Sequence, residues 1–180
     1  VSGPAGSRCG GVEVVGVGQS GRWFLRSVHK TGGIGGRRGM LLVPMLAGEA
    51  FANSPVAAVH ALAYPIGGHY KVPHGLSNAL VLPHVLRFNA QVAPQAYAAL
   101  LPHVFPDLPA MSVAEAALQF AESMADLSRA CGLEQGLRDM GIAREALPIL
   151  ARDAMNPTRL LVNNPPPVAE AAALQIYESA

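Results

Sequence analysis

The sequence has 180 residues, enough for one sizeable core or for one domain with an unpacked arm. Hydrophobic residues make up 51% and charged residues 14%, which argues against disorder across the whole chain, and a net charge of +1 gives no footing for nucleic acid or an anionic membrane. No apolar run reaches the ~18 residues of a membrane span, and the first residues lack the basic start and apolar stretch of a secretory signal.

Most of the nineteen glycines fall in residues 1–39, where no periodicity is sustained. Val12–Val15 reads as a strand, and Gly16, Gly18 and Gly21 have the spacing of a dinucleotide-binding turn. That motif needs an acidic residue about 20 positions on for a ribose hydroxyl, yet no Asp or Glu lies between Glu13 and Glu49. Glycine density accounts for the spacing, and no cofactor role is assigned there. Gly32 to Gly39 reads as a flexible linker.

From Met40 the sequence is rich in Ala and Leu and reads as helices separated by proline-marked turns. Met40 to Asn53 suggests a buried helix interrupted near Pro44. Ser54-Pro55 can open a helix to about Tyr64, and Pro65, Gly67, Gly68 and Pro73 should then stop it. Gly75 to Phe88 and Pro94 to Leu101 follow as helices. Ser112 and Glu115 match a capping box opening the longest helix, to about Ala130, with Gly132 as its stop. Leu133–Met140 with Gly141, Arg144–Met155 and Val168–Ser179 complete the set. No strand alternation follows residue 40, so the body is expected to be all-α.

Three histidines, His60, His69 and His74, crowd into fifteen residues. On one straight helix His60 and His74 would stand about 21 Å apart, too far to share a ligand. A compact reversal through Pro65-Ile66-Gly67-Gly68 removes that objection and can bring both rings to one point. Neutral imidazoles suit zinc and iron. Tyr64, four residues after His60, shares its helical face. The same residues read equally well as a polar loop with unrelated imidazoles. A helix N-terminus repels a cation, so His74 as a ligand requires negative charge nearby. Two imidazoles are short of the three protein ligands a catalytic site takes, and Glu49 is poorly placed to add one. His69 is expected at a cavity edge or in solvent, His84 and His103 at helix starts or on the surface, and His29 without a partner. Cys9 and Cys131 have no metal-type spacing and fit a reducing cytoplasm. Low charge with positive mean hydropathy points to apolar area meant for another domain or subunit.

The stretch "AFANSPVAAVHALAYPIGGHYKVPHGLSNALVLPHVLRFN" (Ala50 to Asn89) resembles the signature of the iron-containing (group III) alcohol dehydrogenases. It carries the His-x13-His spacing, the Pro-His-Gly start of the second helix and the Leu-Pro-His-Val-Leu-Arg-Phe-Asn tail. The likeness runs more loosely from Met40 to Ala180 and leaves residues 1–39 as an irregular Gly-rich arm unrelated to the family. It implies the helical C-terminal domain of the dehydroquinate synthase-like, iron alcohol dehydrogenase type. It also implies a divalent metal, Fe2+ with Zn2+ as the other candidate, and NAD or NADP in the complete enzyme. His60 and His74 become two of the metal's four protein ligands. The other two, an Asp and a His, and the cofactor's Gly-Gly-Gly-Ser turn would lie before residue 1.

Tyr64 stands where many relatives carry a histidine near the reacting groups, and "NNPPP" (Asn163 to Pro167) where an Asn-Pro-Arg type turn is common. Phe51 and Tyr64 are expected to line the pocket, Phe51 chiefly through packing. The implied reaction is oxidation of a small alcohol or reduction of its aldehyde or ketone by a truncated chain, inactive or weakly active alone. The alternatives are a non-catalytic helical fragment docking to a full-length partner, and a maleylacetate-type reductase using Lys71. A homo-oligomer, or docking to a nucleotide-binding domain, fits the expected apolar face. No nucleic-acid or membrane partner is expected, and the cytoplasm is the expected location.

Overall fold

Ala58, Ala61, Leu62, Pro65 and Ile66 recur at intervals of three and four, which puts them on one helical face, and all five are buried. They belong to α1, Ala58–Tyr70, in a computed structural model that describes residues 28, 29, 34, 35, 38, 40, 41, 45, 48 and 56–180. The helices that follow are α2 His74–Ala90, α3 Pro94–Val104, α4 Val113–Ala130, α5 Leu147–Asp153, α6 Thr158–Leu161 and α7 Glu170–Ser179. Two 3-10 turns, Leu137–Met140 and Arg144–Ala146, sit between α4 and α5. Among the described residues there is no strand, and no helix is long and apolar enough to cross a membrane. The all-α expectation holds.

The expected stop at Pro65–Gly68 does not. The helix runs through Pro65, Gly67 and Gly68 and ends only at Lys71, which adopts the left-handed conformation (φ 57°). Pro65 forfeits one backbone bond, and burial of Pro65 and Ile66 against the core offsets that loss. The Lys71 ammonium donates to the Gly68 carbonyl at 3.0 Å, and its N–H to Gly67 O at 3.1 Å, so both satisfy carbonyls at the helix end.

Two clusters make the core. Leu62, Ile66, Val81, Leu150, Ile176 and Tyr177 centre the first, between α1, the first half of α2, α5 and α7. Leu86, Tyr97, Leu101, Phe120 and Ala121 centre the second, between the end of α2, α3 and α4. Tyr177 ties α7 to α1 by donating to the Leu62 carbonyl at 2.6 Å. Between the clusters Asn89 and Asn164 are both buried and exchange amide hydrogen bonds of 2.8 and 3.0 Å.

Ser112 and Glu115 form the expected capping box, and α4 stops before Gly132 at φ 76°. Leu133–Met140, expected as a helix, yields only the turn Leu137–Met140. The Leu137 N–H is taken by the Ala180 carbonyl at 2.9 Å, which anchors the C-terminus instead of extending a helix. Arg144–Met155 is a 3-10 turn leading into α5, and Pro148 is tolerated because it lies in the first turn. The short helix α6 was not expected.

The strand at Val12–Val15, the glycine turn from Gly16 to Gly21, Cys9, Glu49 and Phe51 all lie outside the described residues. So does most of the helix expected at Met40–Asn53; Leu41 and Met45 are helical, but 74% and 61% exposed rather than buried. His29 does have a partner: its Nε2 bonds the Ala130 carbonyl at 3.2 Å.

His84 is not at a helix start either. It lies half-buried inside α2, where Arg87 Nη1 donates to its Nδ1 at 3.3 Å while Arg87 grips Glu122 of α4 through bonds of 2.6 and 2.8 Å. Burial first, and the Arg87 charge second, push the His84 imidazole down to about 4. An unfolded histidine takes its proton near ~6.5, so the stability tied to neutral His84 is complete above that pH and is lost as pH falls toward 4. Urea unfolding between pH 7 and pH 4 is expected to show this decline, and His84→Gln to remove part of it. An identical decline in the variant would contradict the burial assignment.

Candidate functional site

Ten residues of helix, about 15 Å, separate His60 from Tyr70, so a simple turn after α1 would leave His74 far from His60. The chain solves this by doubling back. Lys71, Val72 and Pro73 can span roughly 10 Å when extended. A β-carbon on Gly67 would stand 3.4 Å from the Val72 carbonyl and 3.8 Å from Ser77 Oγ, so the returning chain lies against α1 at this glycine. Ser77, buried, locks the start of α2 by donating to Pro73 O at 3.1 Å and Val72 O at 3.3 Å.

The result brings His60 and His74 together, with ring centroids 5.3 Å apart and planes tilted by 55°. The reversal that does this is Lys71–Pro73, not Pro65–Gly68, and His60 sits in the first turn of its helix rather than the last. Tyr64, one turn after His60, places its ring 6.3 Å from that of His74 and is 43% exposed. His69 is not part of this group. It lies in the last turn of α1, exposed, and pairs with Asp153 of α5 at 2.7 Å. Lys71 is engaged as a helix cap, and His103 is exposed near the end of α3.

Burial, and secondly the proximity of His74, lower the pKa of His60 from the usual histidine value, which keeps its imidazole neutral and its lone pair available near neutral pH. His74 is the first residue of α2, where the helix dipole presents its positive end. The sequence reading missed Asn78, one turn further on. Its Nδ2 stands 2.7 Å from the His74 carbonyl and 3.2 Å from His74 Nε2, a partnership that the i, i+4 spacing could have flagged. Two imidazole rings 5.3 Å apart, without a carboxylate, are at most half of a coordination shell for a cation. Among the described residues no group of three His, Cys, Asp or Glu side chains could complete it.

Residues 24–180 match the C-terminal model of the Fe-containing alcohol dehydrogenase family. This chain belongs to that family. It is 38% identical over 135 residues to long-chain-alcohol dehydrogenase 1 of Geobacillus thermodenitrificans, covering 75% of this chain and 34% of that protein. It is 36% identical over 117 residues to lactaldehyde reductase of Escherichia coli, covering 65% of this chain and 31% of the relative. Among solved structures, a 1,3-propanediol oxidoreductase superposes with a TM-score of 0.93 at 28% identity, over 99% of this chain and 46% of that one. An alcohol dehydrogenase from Oenococcus oeni gives 0.94 at 26%, over 100% and 47%. The chain thus spans about a third of the length of these curated relatives and just under half of the solved chains. Its helices are those of the C-terminal part of the iron-containing alcohol dehydrogenase fold.

Proposed function

We infer that this chain is the helical, metal-binding portion of an NAD(P)-linked alcohol dehydrogenase, with His60 and His74 as two ligands of a divalent cation. The observation that carries this reading is the 5.3 Å approach of two rings that the chain separates by most of α1 and the turn Lys71–Pro73. Iron is the metal the family's description favours, and zinc suits the same donors. When bound, such a cation supplies Lewis acidity toward the oxygen of a small alcohol or of its aldehyde or ketone.

The chain's own contributions are narrower. His60, kept neutral by burial, offers a lone pair without first losing a proton. α2 presents His74 at its first residue, and the positive helix end there makes additional negative ligands necessary. Tyr64, its ring 6.3 Å from that of His74, is in this reading a residue of the substrate pocket. The remaining ligands, and the domain that binds the nicotinamide cofactor, come from outside the described helices.

NAD-linked oxidation of 1,3-propanediol by the purified 180-residue chain tests the incomplete site. Turnover close to background is expected, and robust turnover would contradict it.

A further inference from the structure

Asn78 is oriented in one way only. Its contact of 2.7 Å with the His74 carbonyl requires the NH2 end of the amide there, since the reversed amide would set two oxygens against each other. The same nitrogen lies 3.2 Å from His74 Nε2. An amide N–H facing a ring nitrogen needs that nitrogen's lone pair, so the imidazole carries its proton on Nδ1. The cost falls on the other end of the amide. Asn78 Oδ1 is the buried side-chain polar atom left without a hydrogen-bond partner among the described residues. The carbonyl bond sets the amide, and the same orientation aims its second N–H at the His74 ring.

We propose that Asn78 is a positioning residue that occupies the His74 Nε2 lone pair in the metal-free protein and is displaced when a cation binds there. The proposal rests on the reading of His74 as a metal ligand. Asn78 holds the ring in place and fixes its tautomer, and it competes with the metal for the same electron pair. It therefore weakens metal binding by about the worth of one hydrogen bond, roughly two- to tenfold. Bond formation to the cation releases the Asn78 N–H from Nε2 and leaves its bond to the His74 carbonyl intact.

Two measurements on the 180-residue chain test this. In metal-free protein at pH 8, 15N NMR of the imidazoles should show His74 as the Nδ1–H tautomer, and Asn78→Leu should shift it toward the Nε2–H form. Calorimetric titration with Zn2+ should then show Asn78→Leu binding two- to tenfold more tightly than the parent chain, with Asn78→Gln, which keeps an amide donor, between them. Finding the Nε2–H tautomer in the parent chain, or weaker Zn2+ binding by a folded Asn78→Leu, overturns the proposal. Should the parent chain take up no Zn2+, the ligand reading of His74 fails, and the tautomer alone still decides the role of Asn78.

Discussion

His60→Ala is expected to lower the affinity of the chain for Zn2+ or Fe2+ by more than about a hundredfold. Loss of a partner outside the coordination shell already costs roughly 10- to 100-fold in metal sites, and His60 would be one of only two donors here. Alanine is common in α1 and creates no helix penalty, so the fold should survive. The substitution also removes a half-buried imidazole whose pKa is lowered by burial and by His74. Equilibrium dialysis against a metal buffer measures the loss, with circular dichroism confirming the helices. His69→Ala serves as the contrast. His69 is spent on Asp153, so its replacement should leave metal affinity within about twofold. Equal losses from the two variants would show that metal is held by scattered surface imidazoles.

The second large effect concerns stability. Asn164 lies between the two core clusters, giving one amide hydrogen to Asn89 Oδ1 at 2.8 Å and another to Pro166 O at 2.9 Å, while Asn89 Nδ2 returns a bond at 3.0 Å. Asn89 also reaches the Tyr97 hydroxyl at 3.0 Å, so the network joins α2, α3 and the proline-rich loop. Burial and the bond to Asn89 act in opposite directions on Tyr97, burial prevailing, and its hydroxyl stays protonated. Asn164→Ala leaves Asn89 Oδ1 and the Pro166 carbonyl without partners. At about 1–3 kcal/mol for each buried polar group left unpaired, the expected loss is about 3 kcal/mol, or roughly 6–12 °C in Tm. Thermal unfolding followed by circular dichroism reads it. A shift below ~1 °C would mean that water replaces the lost bonds.

How much of this was legible in the sequence depended on whether a signal was local. Ser112, Glu115 and Gly132 bound α4 because a capping box and a left-handed glycine act within one turn. Pro65, Gly67 and Gly68 misled because breaker residues act through backbone cost alone, and here tertiary burial of Pro65 and Ile66 outweighs it. Leu137 could not be placed because its backbone partner is Ala180, at the far end of the chain. The pairing of His60 with His74 was expected, but by the wrong turn. Its true cause, the return of Val72 past Gly67, depends on a close approach that spacing does not encode. Asn163 and Asn164 read as turn residues before three prolines; that Asn164 is buried against Asn89 follows only from the packing of α2.

X-ray absorption on the Zn2+-loaded chain measures the convergence of the two rings most directly. Two imidazole nitrogens at about 2.0–2.1 Å from the ion are expected, falling to one in His74→Ala. A spectrum with no imidazole scattering, or one that the substitution leaves unchanged, would show that these nitrogens do not share a cation.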